Sequence, residues 1–431
     1  MKSAVQKKID KSETIISNEF KEAFEILEYT KNNLFITGKA GTGKSTFLKY
    51  FRENTRKKIA VVAPTGIAAL NVNGQTVHSF FRLKPNFIKI EEIKPNRNKV
   101  LKNIDLIIID EISMVRSDVF DGIDHSLKLA RKNNKPFGGI QICVIGDMFQ
   151  LSPIVANDEK ELFLQHYESP FFFSSKVYQS ADFNTVLFNK IHRQNDEDFI
   201  QILNAIRSGN CEESDLTKLN TRHSPRATPA PGTLVLTSTN ALAENINNSK
   251  LHQLSGSIKT YKGKISADFN LRGGRLPAPE ELQLKVGAQV MFVKNDSEMR
   301  WVNGTVGIVE KLENDKVSVR AGGELFSVEA EKWKNIGYEF DEDKEQIIEK
   351  QMGTYTQFPL SLAWAITIHK SQGKTLERVI IDLGNGAFAP GQLYVALSRC
   401  KSLSGIALKQ PISYRDIKCD EQVVEFINGL R

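Results

Sequence analysis

Cysteine is scarce in this chain: four residues in 431, at positions 143, 211, 400 and 419. None are paired at metal-ligand spacing, which argues against a structural zinc site or an iron–sulfur cluster. Nothing reads as a disulfide framework, as suits a reducing compartment. No run is long and apolar enough to span a bilayer, which excludes a membrane partner by a helical span. The opening "MKSAVQKKIDKSE" lacks an apolar signal core and mixes acids with lysines. The expected location is cytoplasmic, nucleoid-associated in a bacterium. Short repeats and low-complexity tails are missing too. Charge of one sign is not dominant: 58 Lys and Arg against 51 acids give a net +7. That excess permits a nucleic-acid partner without requiring one.

What is present is a chain of globular composition, long enough for about two to three domains. Buried-strand runs alternate with helical stretches in the first part. "NLFIT", "KIAVVAP", "NIDLIIID", "GIQICVIGD" and "TVLFN" read as strands; "EFKEAFEILEYT" and "KSTFLKYFREN" read as helices. This pattern predicts an α/β class with a parallel sheet covered on both faces over residues 1–190. A second α/β pattern occupies 191–259 and 359–431, with a helix stopping at Gly209. Between its halves, 260–358 alternate and turn at Asn, Asp and Gly, as an inserted antiparallel β domain would.

"GKAGTGKS" fits G-x-x-x-x-G-K-[ST] from Gly38 to Ser45, between a strand and a helix. Gly41 and Gly43 let the backbone turn its N–H groups toward a phosphate at a positive helix end. Gly38, Thr42 and Thr46 complete the cradle. Lys44 reaches the β- and γ-oxygens, and Ser45 offers a hydroxyl to Mg²⁺. "LIIIDEISM" puts Asp110 and Glu111 at a strand end. There Asp110 would hold Mg²⁺ and Glu111 would polarise the attacking water, although acids at strand ends also cap helices. In "GDMFQLSP", Asp147 would cap or brace its loop. Gln150 would sense the γ-phosphate, or stand as a solvated loop residue.

"GKAGTGKST", "APTGIAA", "GQTVHSFF", "IDEISMV", "KPFGGIQICVIGDMFQL", "HRQND", "AWAITIHKSQGKTL" and "YVALSRC" follow one another. In that order they resemble the PIF-type helicases of superfamily one, relatives of RecD. The resemblance runs from about residue 18 to about 410. It implies two RecA-like domains with ATP between them and single-stranded DNA across them. It also implies a small wedge insert near 70–85 and a Src-homology-three-like β insert with a long hairpin. It implies an ATP-dependent 5′-to-3′ helicase that would act on single-stranded, forked or structured DNA, G-quadruplexes and RNA–DNA hybrids included. The genome-maintenance roles implied are DNA repair, recombination and telomere maintenance, by a chain that is a monomer in solution. Arg193 matches the first arginine finger and Arg399 the second. Gln372 and Gly373 match the link between γ-phosphate and DNA track. Thr65, Gly66, His78, Phe80, His369 and Lys370 match positions on the DNA strand. The family's adenine-reading Gln has Lys21 near its place here, which opens the site to other nucleoside triphosphates.

The residues alone leave alternatives. Phe80 and Phe81 also suit core packing, and His369 suits a buried structural role. Trp301 and Trp333 suit a β-domain core as well as base stacking. "KPNRNKVLKN" suits a DNA lining or a solvated face. Tyr394 reads as buried packing, on a helix that would aim Arg399 across the cleft. An ATP-gated nucleic-acid clamp without processive unwinding is the alternative function.

Overall fold

The computed structural model describes residues 17–95, 98–194, 196–230, 232–267, 269 and 276–430. The N-terminal stretch and part of "KPNRNKVLKN" lie outside the described residues, and so do the expectations attached to them. Among the described residues, no helix is long and apolar enough to cross a membrane.

The first layer is a six-stranded sheet in the order Gln75–Thr76, Ile59–Ala63, Leu106–Ile109, Gln141–Gly146, Asn33–Gly38, Phe183–Phe188. All its pairings are parallel. Its four central strands are buried at consecutive positions because both faces are covered. Phe35 points into one core with Ile107 and Phe120, whereas its neighbours Leu34 and Ile36 point into the other with Phe47 and Phe51. Parallel order brings the loops after Gly38, Ile109 and Gly146 to one edge of the sheet, the usual place for a ligand in such folds.

The second layer is a smaller parallel sheet, ordered Ala365–Thr367, Leu234–Thr237, Val379–Asp382, Ile406–Leu408. The helix Glu197–Ser208 covers it through Phe199, Ile202, Leu203 and Ile206 and ends at Gly209. The insert is antiparallel. Five strands from Gln289 to Leu362 form one sheet, and Glu331–Asp341 with Gln346–Gln357 form a long hairpin. Trp301 stacks on Phe292 at 4.5 Å and Trp333 lies 5.8 Å from Tyr355. Both tryptophans are therefore core residues here, 5% exposed.

Two expectations of organisation change. The sequence pattern places 359–431 in the second layer, yet the helix Glu421–Gly429 returns to the first. Its Phe426 stacks on Phe173 at 4.2 Å, and Val423 is buried in the same core. An amphipathic helix goes where its apolar face is best covered, and periodicity does not say on which sheet. The wedge expected near 70–85 is no free-standing element. Residues 75–76 add an edge strand, and Val77, Phe80, Phe81 and Leu83 are buried in the first core.

Candidate nucleotide cleft and nucleic-acid groove

The loop after Asn33–Gly38 turns through Gly41 (φ +82°) and Gly43 (φ +89°) into the helix Lys44–Asn54. A side chain is excluded at Gly41 twice over: φ is left-handed, and a Cβ would lie 2.6 Å from Arg193 Cβ. Lys44 Nζ donates to the carbonyls of Gly38 (2.7 Å) and Lys39 (2.9 Å), so it rests on its own loop. Burial pushes its pKa down, against the pull of Asp147 and Glu111.

Asp110 and Glu111 follow the strand Leu106–Ile109, with Glu111 left-handed at φ 52°. Burial, then the Glu111 charge, raises the Asp110 carboxyl to about 7. Burial also raises Glu111, opposed by Lys44 and Arg399. Gln372 Nε2 donates to Glu111 Oε2 (3.1 Å) and to Gln150 Oε1 (3.2 Å), bridging the layers.

Gly38 is buried and Thr42 donates from Oγ1 to Lys39 O (3.0 Å), which stiffens the loop. A cavity of about 570 Å³ is lined by Gly41 through Thr46, Asp110, Glu111 and Gln150 from the first layer. Arg193, Gly373 and Arg399 line it from the other side. The hydroxyl of Ser45 and the carboxylate of Asp110 give it hard oxygen donors. That set fits Mg²⁺, whose charge would offset the repulsion between Asp110 and Glu111.

Arg399 is 1% exposed and does not project from the end of a helix. The helix Gln392–Leu397 stops short of it. Its guanidinium donates to Val395 O (2.9 Å), Ser371 O (3.4 Å) and Ser398 Oγ (2.8 Å), all within its own layer. Burial and the nearby Arg193 push its pKa down to about 9. Arg193 Nη1 donates to Ser398 O (3.3 Å). Lys21 is exposed and is not among the cavity-lining residues; Ser17 and Phe20 line it instead.

The residues expected on DNA scatter. Phe80 is 3% exposed, packed edge-on against Phe81 (4.9 Å) and Tyr338 (5.7 Å), which rules out a base contact in this structure. An aromatic pair in "VHSFF" reads the same whether it faces solvent or core; the hairpin that covers it is some 260 residues away in sequence. Thr65 Oγ1 caps the helix Gly66–Asn71 by accepting from Ala68 N (3.2 Å), and Gly66 is buried. His78 and His369 are half-buried, with pKa values lowered by burial. Lys370 lines a second, larger cavity of about 990 Å³ where both layers and the insert meet, with Lys374, Lys294, Lys332 and Lys334.

Sequence reading missed Arg207 and undervalued Tyr394. Arg207 pairs with Asp147 at 2.9 Å, and the Tyr394 hydroxyl donates to the same carboxylate at 3.2 Å. A signal for Arg207 existed: with Phe199 and Leu203 it falls on the buried stripe of its helix, where a cation needs a partner.

The profile of the family described as "PIF1-like helicase" matches residues 15–217, and that of "DNA helicase Pif1, 2B domain" matches 275–312. The human ATP-dependent DNA helicase PIF1 is 33% identical over 93% of this chain, which spans 61% of that protein's length. The crystal structure of Bacteroides sp Pif1 in complex with ADP-AlF4 is 37% identical, covers 96% of this chain and 97% of its own, and superposes with a TM-score of 0.87. The Bacteroides Pif1 bound to ssDNA, with the same identity and coverage, gives 0.71.

Proposed function

The chain belongs to the PIF1-like helicase family, and on that premise we propose that it is an ATP-driven motor that moves 5′ to 3′ on single-stranded DNA and unwinds duplex. The observation that carries this reading is the single cavity lined by Lys44, Asp110, Glu111 and Gln150 on one side and by Arg193 and Arg399 on the other. ATP is the substrate. Lys44 leaves its loop carbonyls for the β- and γ-oxygens; Ser45 and Asp110 would hold Mg²⁺, which would supply charge neutralisation at the phosphates. Water attacks the γ-phosphorus, the bond to the ADP oxygen breaks, and Glu111 takes the water proton. Burial raises its pKa, which makes it a stronger proton acceptor than an exposed carboxylate. Arg193 and Arg399 meet charge that develops on the equatorial oxygens. Because Arg399 stands on the other layer and Arg193 on the connector between the two, hydrolysis requires a closed cleft, and loss of the γ-phosphate releases it.

The DNA strand runs through the lysine-lined groove, where backbone contacts suit a motor that tolerates every sequence. Roles in repair, recombination, telomere maintenance and G-quadruplex resolution belong to the same reading. The test is unwinding of forks carrying a 5′ or a 3′ tail. Preference for the 3′ tail overturns the polarity. Turnover that poly-dT leaves unchanged favours an ATP-gated clamp.

A further inference from the structure

The buried polar groups between the layers form one continuous chain. Tyr394 Oη accepts the backbone N–H of Ala40, inside the phosphate loop, at 3.1 Å and donates to Asp147 Oδ2 at 3.2 Å. Asp147 is 1% exposed and also accepts Arg207 Nη2 (2.9 Å), Phe149 N (3.3 Å) and Gln150 Nε2 (3.3 Å). The Arg207 guanidinium lies over the Phe149 ring, 4.1 Å from its centroid. The layers touch closely here: a Cβ at Gly391 would lie 2.4 Å from the carbonyl oxygens of Phe149 and Gln150.

The direction of this chain is dictated by chemistry. A carboxylate only accepts, so Gln150 must turn its NH₂ toward Asp147. Its carbonyl oxygen then faces Gln372, which must present its own NH₂. That nitrogen is the one that donates to Glu111. Ala40, Asp147, Gln150 and Glu111 stand on the first layer; Tyr394, Arg207 and Gln372 stand on the second. The chain crosses the cleft at Ala40–Tyr394, Tyr394–Asp147, Asp147–Arg207, Gln150–Gln372 and Gln372–Glu111, so it exists only when the layers are together.

We propose that Asp147, Tyr394 and Arg207 are positioning residues that set the phosphate loop and orient the Glu111 carboxylate only in the closed cleft. The proposal rests on the ATP-hydrolysis reading above. Holding Asp147 ionised is the part played by Arg207: burial alone would raise that carboxyl, and the guanidinium with Lys44 keeps it below its usual range. Tyr394 spends its hydroxyl on joining the loop to that anchor, so its ring is packing and its oxygen is not.

The experiment compares wild type with Tyr394→Phe in steady-state ATP hydrolysis, with and without poly-dT, beside thermal melts. The expected result is KM for ATP within about threefold and DNA-stimulated kcat lower by about tenfold or more, as for one lost hydrogen bond to a charged group. A kcat within about twofold of wild type overturns the proposal. If Tyr394→Phe does not fold, Arg207→Lys keeps the charge and loses the fork; it must lower kcat at constant KM, and unchanged kcat overturns the proposal equally. Where both variants fold, the double variant should be no slower than the slower single, because the groups act as a unit. Multiplicative losses would overturn that. Wild type without DNA-stimulated turnover sinks the motor reading instead, and the positioning role is then read on basal kcat.

Discussion

Charge is handled in opposite ways in the cleft and in the β insert. In the cleft, burial works against the ions proposed for catalysis: Lys44 and Arg399 are pushed down, Asp110 and Glu111 up. In the insert, ion pairs hold Asp296 and Glu310 below the usual carboxylate range. Asp296 accepts both forks of Arg300 and the backbone N–H groups of Glu298 and Arg300, which bring its pKa down to about 2. Glu310 is likewise lowered by Arg320. The cleft carries unfavourable electrostatics that a bound polyphosphate and its cation would relieve, whereas the pairs Asp296–Arg300 and Glu310–Arg320 of the insert are already matched. Displaced pKa values of this kind gather where chemistry is done.

The largest expected effects fall in the cleft. Arg399→Ala should lower DNA-stimulated hydrolysis by about 10³- to 10⁵-fold while nucleotide binding is nearly kept. Lys44→Ala should lose both. Steady-state turnover beside equilibrium binding of a non-hydrolysable analogue separates them, and equal binding losses in the two variants would break the distinction. Next comes Phe80→Ala, which should cost about 3–5 kcal/mol of stability, as for other buried aromatics. Affinity of its folded fraction for DNA should not change; a DNA defect at full stability would return Phe80 to the strand. In the insert, Asp296→Asn should cost at most about 2 kcal/mol at pH 7 and leave ATP turnover intact. The sign follows from a lowered folded pKa: the contribution is present above the unfolded value of about 4 and is lost as pH falls through about 2. Denaturant melts from pH 7 to pH 3 should therefore show the gap to wild type beginning to narrow below about pH 4. The smallest effect is expected at Lys370→Ala, whose DNA affinity should fall alike for all sequences, with a salt slope reduced by about 1.

The phosphate loop was legible because its chemistry is local. Gly41, Gly43, Lys44 and Ser45 act through backbone φ and chain spacing, which neighbours in sequence decide. Strand ends bearing Asp110 and Asp147 were legible for a related reason, since buried parallel strands are apolar throughout and an acid marks where they stop. Phe80 and the last helix were not. Whether an apolar side chain meets core or ligand depends on what covers it, and Tyr338 and Phe173 are brought there by distant parts of the chain.

The sequence by itself determined the two α/β layers, the β insert, the nucleotide loop and the resemblance that carries the family. Tertiary structure alone decided that Arg207 is the partner of Asp147 and that Tyr394 touches the loop of Lys44. The reason is physical. Backbone conformation and hydrophobic period are properties of neighbouring residues, but a buried charge takes whichever partner the packing of two layers brings within about 3 Å.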